Sequence, residues 1–187
     1  MKRIFVVLIV VMMMSPAMEA QGRGSDFSNA YILSAGLSLN YSYSYIGSRS
    51  IRIPPAQAYF EAGFHEYVTA GPFVGFSRWS YPERTRSFLN MGLRGSFHFS
   101  PLLNDLLDGS LNEQQIDLYA ALLSGVELRQ YGAGEGEGIS GFTDNARIFI
   151  GPVAGLRFYF TDDLAVYSEI GRGALGVVSV GISMRLD

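Results

Sequence analysis

The sequence predicts an all-β fold, an eight-stranded antiparallel up-and-down transmembrane β-barrel with a polar, filled lumen. The first observation is the alternation from Asn29 to Tyr45, where odd positions from Tyr31 onward are apolar or aromatic and even positions from Ser34 onward are small. Successive side chains of a β-strand point to opposite faces, so this segment has two chemically different faces. The second observation is that eight such segments recur, and eight is the smallest usual size of a closed membrane barrel.

A third observation is that aromatic residues stand at both ends of the apolar faces. At one end of the first segment they are Tyr41, Tyr43 and Tyr45. At the opposite end of later segments they are Phe97, Phe99, Phe158 and Phe160. The two membrane interfaces favour such rims. A soluble, lipocalin-like ligand-binding barrel would also alternate, but its polar face would carry long solvating side chains. Here that face is mostly serine, glycine and asparagine with a few charges, which favours the membrane barrel.

The remaining strands follow from the same alternation and from the turn-forming residues between the segments. They are predicted at about 56–64, 68–79, 87–99, 117–131, 146–160, 164–171 and 175–186. His65-Glu66-Tyr67 and Thr161-Asp162-Asp163 predict tight turns. Pro72 lacks a ladder donor, so a bulge or an unpaired position is expected near it.

Composition restricts the function classes. A formal net charge of -3 over 187 residues gives no electrostatic argument for nucleic-acid binding. The absence of cysteine excludes disulfides and thiolate metal sites, and no cofactor or metal motif stands out. Lys2 is the only lysine, whereas soluble domains usually carry lysine on their surface. Much of the surface is therefore expected not to lie in water.

The N-terminus has the pattern of a secretory signal peptide. Lys2 and Arg3 precede the apolar run from Ile4 to Met14, and small residues follow. The run is too short for a spanning helix, which needs about 20 apolar residues. Cleavage after Ala20 is preferred to cleavage after Ala17. The predicted organisation is a signal peptide at 1–20, a short polar segment at 21–28 and a barrel domain at 29–187.

Several segments resemble a known family. Leu93-Arg94-Gly95-Ser96-Phe97-His98-Phe99, Leu118-Tyr119-Ala120-Ala121 and Gly155-Leu156-Arg157-Phe158-Tyr159-Phe160-Thr161-Asp162-Asp163, leading to Glu169-Ile170-Gly171, are similar to the small OmpX and OmpA-type outer-membrane barrels, especially those common in Bacteroidetes. The resemblance implies a monomer in the bacterial outer membrane, inserted by the barrel-assembly machinery and surrounded by outer-membrane lipid and lipopolysaccharide. It also implies a structural, envelope-integrity or adhesive role, with any surface ligand bound by extracellular loops.

The sequence departs from that pattern in two places. The chain ends in Asp187 instead of the terminal aromatic residue of many such barrels, which leaves Leu186 in that role. The segment from Ser100 to Ile116 falls on the periplasmic side, where turns are normally short. Either this turn is unusual, with leucines at 102, 103, 106 and 107 along a short helix, or the strand count is off by one.

The inward faces carry charged and polar groups that are expected to form a structural network. Its predicted members are Glu61, Arg94, His98, Tyr119, Glu127, Arg129, Arg147, Arg157, Glu169 and Arg185. Buried charges need partners, and Glu61 and Arg94 are expected at similar depth. Because side chains just fill an eight-stranded barrel, no open pore is expected.

A lipid-modifying enzyme is the main alternative function. His98-Phe99-Ser100, with Glu113 beyond, resembles the His-x-Ser and glutamate arrangement of lipid A deacylases. Such enzymes act at the outer leaflet, whereas His98 is expected near the periplasmic end, so no catalytic residue is assigned. The glycine-rich loop at 132–141 lacks a P-loop ending and has too few acids for a cation cage.

Arginines near the predicted outer rim could pair with lipopolysaccharide phosphates. The residues concerned, with two neighbouring aromatics, are Arg49, Arg52, Arg84 and Arg86, and Tyr45 and Trp79.

Overall fold

The structure is a computed structural model that describes residues 27–39, 50–80, 85–106, 115–132 and 146–186. The described strands are β1 (Tyr31–Leu39), β2 (Ser50–His65), β3 (Val68–Ser80), β4 (Thr85–His98), β5 (Ile116–Gly132), β6 (Ala146–Tyr159), β7 (Leu164–Gly171) and β8 (Val178–Leu186). One short helix, α1 (Ser100–Leu106), lies between β4 and β5. The predicted signal peptide and most of the segment 21–28 lie outside the described residues.

The eight strands form a closed barrel in which each strand pairs antiparallel with the next. Closure comes from β1 and β8, whose register runs from Tyr31 opposite Leu186 to Leu39 opposite Val178. Closure leaves no unpaired edge, which a sheet inside a bilayer requires because lipid offers the backbone no hydrogen bonds. The predicted fold class and the count of eight strands are confirmed.

The two ends of the barrel differ. At the turn end, β2 and β3 are joined by Glu66 and Tyr67, β6 and β7 by residues 160–163, and β4 and β5 by the segment containing α1. At the loop end lie the other four connections, between β1 and β2, β3 and β4, β5 and β6, and β7 and β8. Both predicted tight turns are confirmed.

The outer surface is a continuous apolar belt. Alternate positions of β8 illustrate the pattern, since Val180, Ile182 and Met184 are exposed while Ser179 and Ser183 are buried. The predicted aromatics Phe97, Phe99, Phe158 and Phe160 are all exposed at the turn end. The tyrosines at 41, 43 and 45 lie outside the described residues. The alternation therefore reports a barrel that is apolar outside and polar inside.

Two strand starts differ from the prediction by more than two residues. β2 begins at Ser50 instead of residue 56, and its register with β3 shifts twice before Ala56. Pro54 and Pro55 lie in this irregular part, which explains why the sequence reads as a loop there. β8 begins at Val178 instead of residue 175, because the preceding segment folds into the barrel mouth.

Pro72 leaves a gap in one ladder without a bulge. The pairs between β2 and β3 pass from Tyr59 opposite Phe73 to Ala62 opposite Ala70 with no change of register and with no pair at Pro72. On the other side, Pro72 pairs normally with Leu93 of β4. The expected unpaired position is thus present, and the alternative of a bulge is not needed.

The connection between β4 and β5 contains the short helix that the leucine spacing suggested. Leu102, Leu103 and Leu106 lie in α1, and Leu107 lies outside the described residues. Among the described residues, no helix is long and apolar enough to cross a membrane.

Candidate functional site: the filled lumen

Two arginines and one glutamate form the centre of the lumen. Glu61 of β2 lies 3.4 Å from Arg94 Nε of β4 and 3.1 Å from Arg157 NH2 of β6. All three side chains are essentially inaccessible to solvent. The alternation of three separate strands aims these groups at one point, and Gly71 on β3 lets the chains approach because a Cβ there would collide with the backbone of β2. The carboxylate therefore bridges two arginines that come from different strands of the barrel.

A second layer lies toward the turn end. Asp117 accepts hydrogen bonds from Arg157 NH1 at 2.9 Å and from His98 Nδ1 at 2.9 Å. Thr69 donates its single hydroxyl proton to Glu61 at 2.9 Å, while its oxygen lies 3.1 Å from His98 Nε2. Thr69 thus links the Glu61 carboxylate to one nitrogen of the His98 ring, whose other nitrogen lies against Asp117.

A third layer, built around Glu169 of β7, lies toward the loop end. Arg94 NH2 reaches Glu169 at 2.7 Å, and the hydroxyls of Tyr119 and Tyr59 donate to it at 2.9 Å and 3.2 Å. Gln57 extends the layer with a 3.4 Å hydrogen bond to the same carboxylate. With this layer, three carboxylates face two arginines and the His98 ring inside the barrel.

The arginine planes also pack on aromatic rings. The Arg94 guanidinium lies 4.1 Å from the ring centre of Tyr59, and that of Arg157 lies 4.2 Å from the ring centre of Tyr119. The Tyr119 ring fits only because Gly155 faces it, since a Cβ at that position would stand 2.2 Å from the ring. The cross-section is therefore occupied by side chains in contact with each other.

The segment before β1 fills the turn end of the lumen. Phe27 is 2% exposed and its ring stacks on His98 at a centroid distance of 3.8 Å. Asn29 adopts a left-handed backbone conformation with φ of 66°, and Ala30 donates back to the Phe27 carbonyl at 3.1 Å. Gly63 must lack a side chain, because a Cβ there would lie 1.6 Å from the Phe27 carbonyl oxygen. Phe27 was assigned by sequence to the polar segment 21–28 and instead lies inside the barrel.

The connection between β7 and β8 fills the loop end of the lumen. Ala174 and Leu175 are buried, and Leu175 lies over Gly75, where a Cβ would stand 2.9 Å from its Cγ. Asn90 donates to the Ala174 carbonyl and so holds the connection inside the mouth. A cluster of buried apolar side chains below it includes Phe73, Leu123, Phe149 and Val153. The lumen is closed at both ends.

The structure places the ten sequence-predicted lumen residues in three groups. Glu61, Arg94, His98, Tyr119, Arg157 and Glu169 are buried and connected to one another. Glu127 and Arg129 pair with each other near the loop end and stay partly exposed. Arg147 is exposed at the same end, and Arg185 is half-buried with its guanidinium 5.3 Å from the Phe27 ring.

Other members of the network were not singled out from the sequence. Asp117, Thr69 and Ser96 were missed, although parity places each on an inward face. Asp117 stands at the start of a strand, where an acid normally indicates a turn. Its partners His98 and Arg157 come from the two neighbouring strands, which local sequence does not reveal.

The residues of the lipid A deacylase resemblance are engaged elsewhere. Ser100 Oγ accepts a hydrogen bond from the Leu118 amide at 2.6 Å, and His98 faces Asp117 and Thr69 instead of Ser100. Glu113 lies outside the described residues. Thr69, His98 and Asp117 have relay-like spacing, but all are buried, and the Thr69 proton already goes to Glu61. In the described residues, no group of three or more acids and histidines has a metal-binding arrangement.

Two side chains of the predicted lipopolysaccharide rim, Trp79 and Arg86, lie in the described part of the chain. Trp79 is buried and Arg86 is half-buried at the loop end. Tyr45, Arg49 and Arg84, like the glycine-rich loop 133–141, lie outside the described residues, and the Arg52 side chain is not described.

A closed eight-stranded barrel with an apolar belt and a polar, filled interior is the architecture of small outer-membrane β-barrels. Three solved structures are similar in fold. Ail of Yersinia pestis in a phospholipid bilayer nanodisc is 12% identical over 85% of this chain and 100% of that chain, with a TM-score of 0.49. The N-terminal barrel domain of Pseudomonas aeruginosa OprF is 10% identical over 85% of this chain and 98% of that chain, with a TM-score of 0.47. Pseudomonas aeruginosa OprG is 10% identical over 88% of this chain and 99% of that chain, with a TM-score of 0.47. Such low identities carry no information about activity. No protein-family model and no curated protein matches the sequence.

Proposed function

We propose that this protein is a non-conducting barrel of the bacterial outer membrane with a structural, envelope-integrity or adhesive role. The observation that carries the proposal is the filled lumen, in which a network of ion pairs and hydrogen bonds occupies the middle and Phe27 and Leu175 are buried at the two ends. A rigid interior of this kind suits a scaffold that holds surface loops in place. The buried network then serves stability and specificity, not transport.

The proposed orientation puts the turn end in the periplasm. Outer-membrane barrels have short periplasmic turns and longer extracellular loops, and the shortest connection here, Glu66 and Tyr67 between β2 and β3, lies at the turn end. The loops at 40–49, 81–84 and 133–145 would then face the outside, where any surface ligand would bind. We further propose export with cleavage of the signal peptide at 1–20, insertion by the barrel-assembly machinery, and a monomer surrounded by lipid and lipopolysaccharide.

The test of the closed lumen is conductance of the refolded full-length mature protein in planar bilayers. We expect no stable, large single-channel steps, while an open porin in the same membranes supplies the positive control. Folding of the inserted sample is checked by its migration in gels before and after boiling. Stable large steps from the folded protein would overturn the non-conducting role.

The adhesive role is tested separately on cells. Replacing residues 133–145 with a short glycine-serine linker should leave insertion intact, since the eight strands close through described residues alone. If the loop carries adhesion, attachment of cells producing this variant falls to the level of cells without the protein. Unchanged attachment, with the same replacement at 40–49 also without effect, would favour the purely structural role.

A further inference from the structure

The helix α1 presents two exposed leucines. Leu106 is 78% exposed and Leu102 is 37% exposed. The two residues are four positions apart, so they lie one above the other on the same helix face. An apolar pair on a short helix in water would be unfavourable, at about 25 cal/mol per Å² of apolar surface.

The start of α1 lies at the depth of the lipid-facing belt. The last pair between β4 and β5 joins His98 to Tyr119, but β5 continues to Ile116 while paired with β6. On that uncovered edge, Phe99 N donates to the Leu118 carbonyl at 2.7 Å, and Ser100 Oγ accepts from the Leu118 amide. The helix start thus replaces β4 along the edge of β5, as a backbone at membrane depth requires.

The belt continues below that point. Leu156 pairs with Leu118, and Phe158 pairs with Ile116 at the beginning of β5. The side chains of Leu156 and Phe158 face outward and are 39% and 45% exposed. Phe99, immediately before α1, is exposed at 39%. The helix therefore begins directly after an exposed aromatic residue of the turn end, at the depth of outward-facing apolar side chains.

We propose that α1 is an interfacial membrane anchor whose Leu102–Leu106 face inserts into the lipid leaflet at the turn end. The occupant is lipid, because the helix starts at the depth of the apolar outer belt, immediately after the exposed Phe99. An apolar helix face at the boundary between headgroups and acyl chains is the usual mode of such anchors. The inference rests on the membrane-barrel assignment and is independent of the surface loops.

Fluorescence quenching by brominated lipids tests the proposal. Trp79 is the only tryptophan, so Trp79→Phe gives a silent background. Leu106→Trp, Phe158→Trp and Asp162→Trp are then made singly in the full mature chain. Position 158 reports the lipid-facing belt, and position 162 reports an exposed polar turn. Each variant is refolded into phosphatidylcholine vesicles with or without bromine near the top of the acyl chains.

We expect quenching at position 106 to match that at position 158 and to exceed that at position 162 several-fold. Quenching at 106 equal to that at 162, with strong quenching at 158, would overturn the anchor and leave a face for a periplasmic protein. Weak quenching at both 106 and 158 would instead contradict the membrane barrel itself.

Cysteine labelling provides an independent measurement if the tryptophan variants fold poorly. The chain has no cysteine, so Leu106→Cys and Asp162→Cys each introduce a single thiol. In lipid nanodiscs a water-soluble maleimide should label position 106 at least about tenfold more slowly than position 162, as an energy difference of about 1.4 kcal/mol would give. Equal labelling rates would overturn the proposal.

Discussion

Arg157 bridges two buried carboxylates, so its loss leaves more than one group unsatisfied. It reaches Asp117 at 2.9 Å and Glu61 at 3.1 Å while packing on Tyr119. Breaking a buried ion pair by removing one partner costs about 3–5 kcal/mol, because the remaining charge stays buried. Arg157→Leu should lower the free energy of unfolding by that amount in urea titrations in lipid vesicles.

The matched control for that change is Arg147→Leu. Arg147 lies on the same strand with the same inward parity but is exposed. We expect a change within about 0.5 kcal/mol, as for surface substitutions without special contacts. Equal effects at the two positions would show that the buried charges contribute nothing specific to stability.

Two glycines give a second pair of residue-scale variants. Gly155→Ala places a Cβ 2.2 Å from the Tyr119 ring, whereas a Cβ at Gly95 meets nothing within 4 Å. Overpacking of this kind costs about 1–3 kcal/mol. Gly155→Ala should therefore destabilise the barrel, while Gly95→Ala should be neutral or slightly stabilising in the same titration. A neutral Gly155→Ala would show that the Tyr119 ring has room to move.

At the residue scale, the sequence predicts which face a side chain occupies better than which partner it finds. Side chains alternate between the two faces of a strand, and this alternation predicts inward positions for Glu61, Arg94 and Glu169, which are buried in the structure. Parity alone did not place Arg147 outside the buried layers, since depth depends on where each strand ends. Contacts between non-neighbouring strands, such as Arg94 with Glu169, depend on barrel closure.

At the level of elements, the segment before β1 fills the turn end of the lumen. Phe27 is buried against His98 and beneath the Arg185 guanidinium. Truncating a buried phenylalanine costs about 3–5 kcal/mol. Phe27→Ala should destabilise the barrel by about that amount and should make Thr69→Cys reactive to a small maleimide in the folded state. Thr69→Cys with Phe27 intact is the control, and equal reactivity in both would mean that Phe27 does not close the turn end.

The helix start gives another element-scale prediction. Ser100 supplies the only described partner of the Leu118 amide on the edge that β4 leaves open. Leaving a buried donor unsatisfied costs about 1–3 kcal/mol. Ser100→Ala should lower the free energy of unfolding accordingly. Ser168→Ala, the same change at an exposed outward position of β7, should not. No difference between the two would mean that water reaches the Leu118 amide.

The elements themselves were largely predictable from alternation, and the exceptions have physical reasons. The first residues of β2 contain two prolines and shifted register, so their pattern resembles a loop. Leu175 was read as the start of β8 because apolar residues continue into the strand. It leaves the sheet because Gly171, with φ of 137°, turns the chain inward. That inward turn is stabilised by packing inside the mouth and not by local sequence.

For the whole molecule, the decisive question is the solvent around the belt, because a soluble barrel would share the topology. Ile182 lies at the middle of β8, pairs with Ala35 and Val166, and is 56% exposed. An arginine on the lipid face costs about 2–4 kcal/mol at the bilayer midplane and about 0–1 near the interface. Ile182→Arg should therefore destabilise the barrel in vesicles far more than Leu39→Arg, which lies at the loop end and is 72% exposed. In water both exposed positions would accept arginine, so two small and equal effects would rule out the membrane barrel.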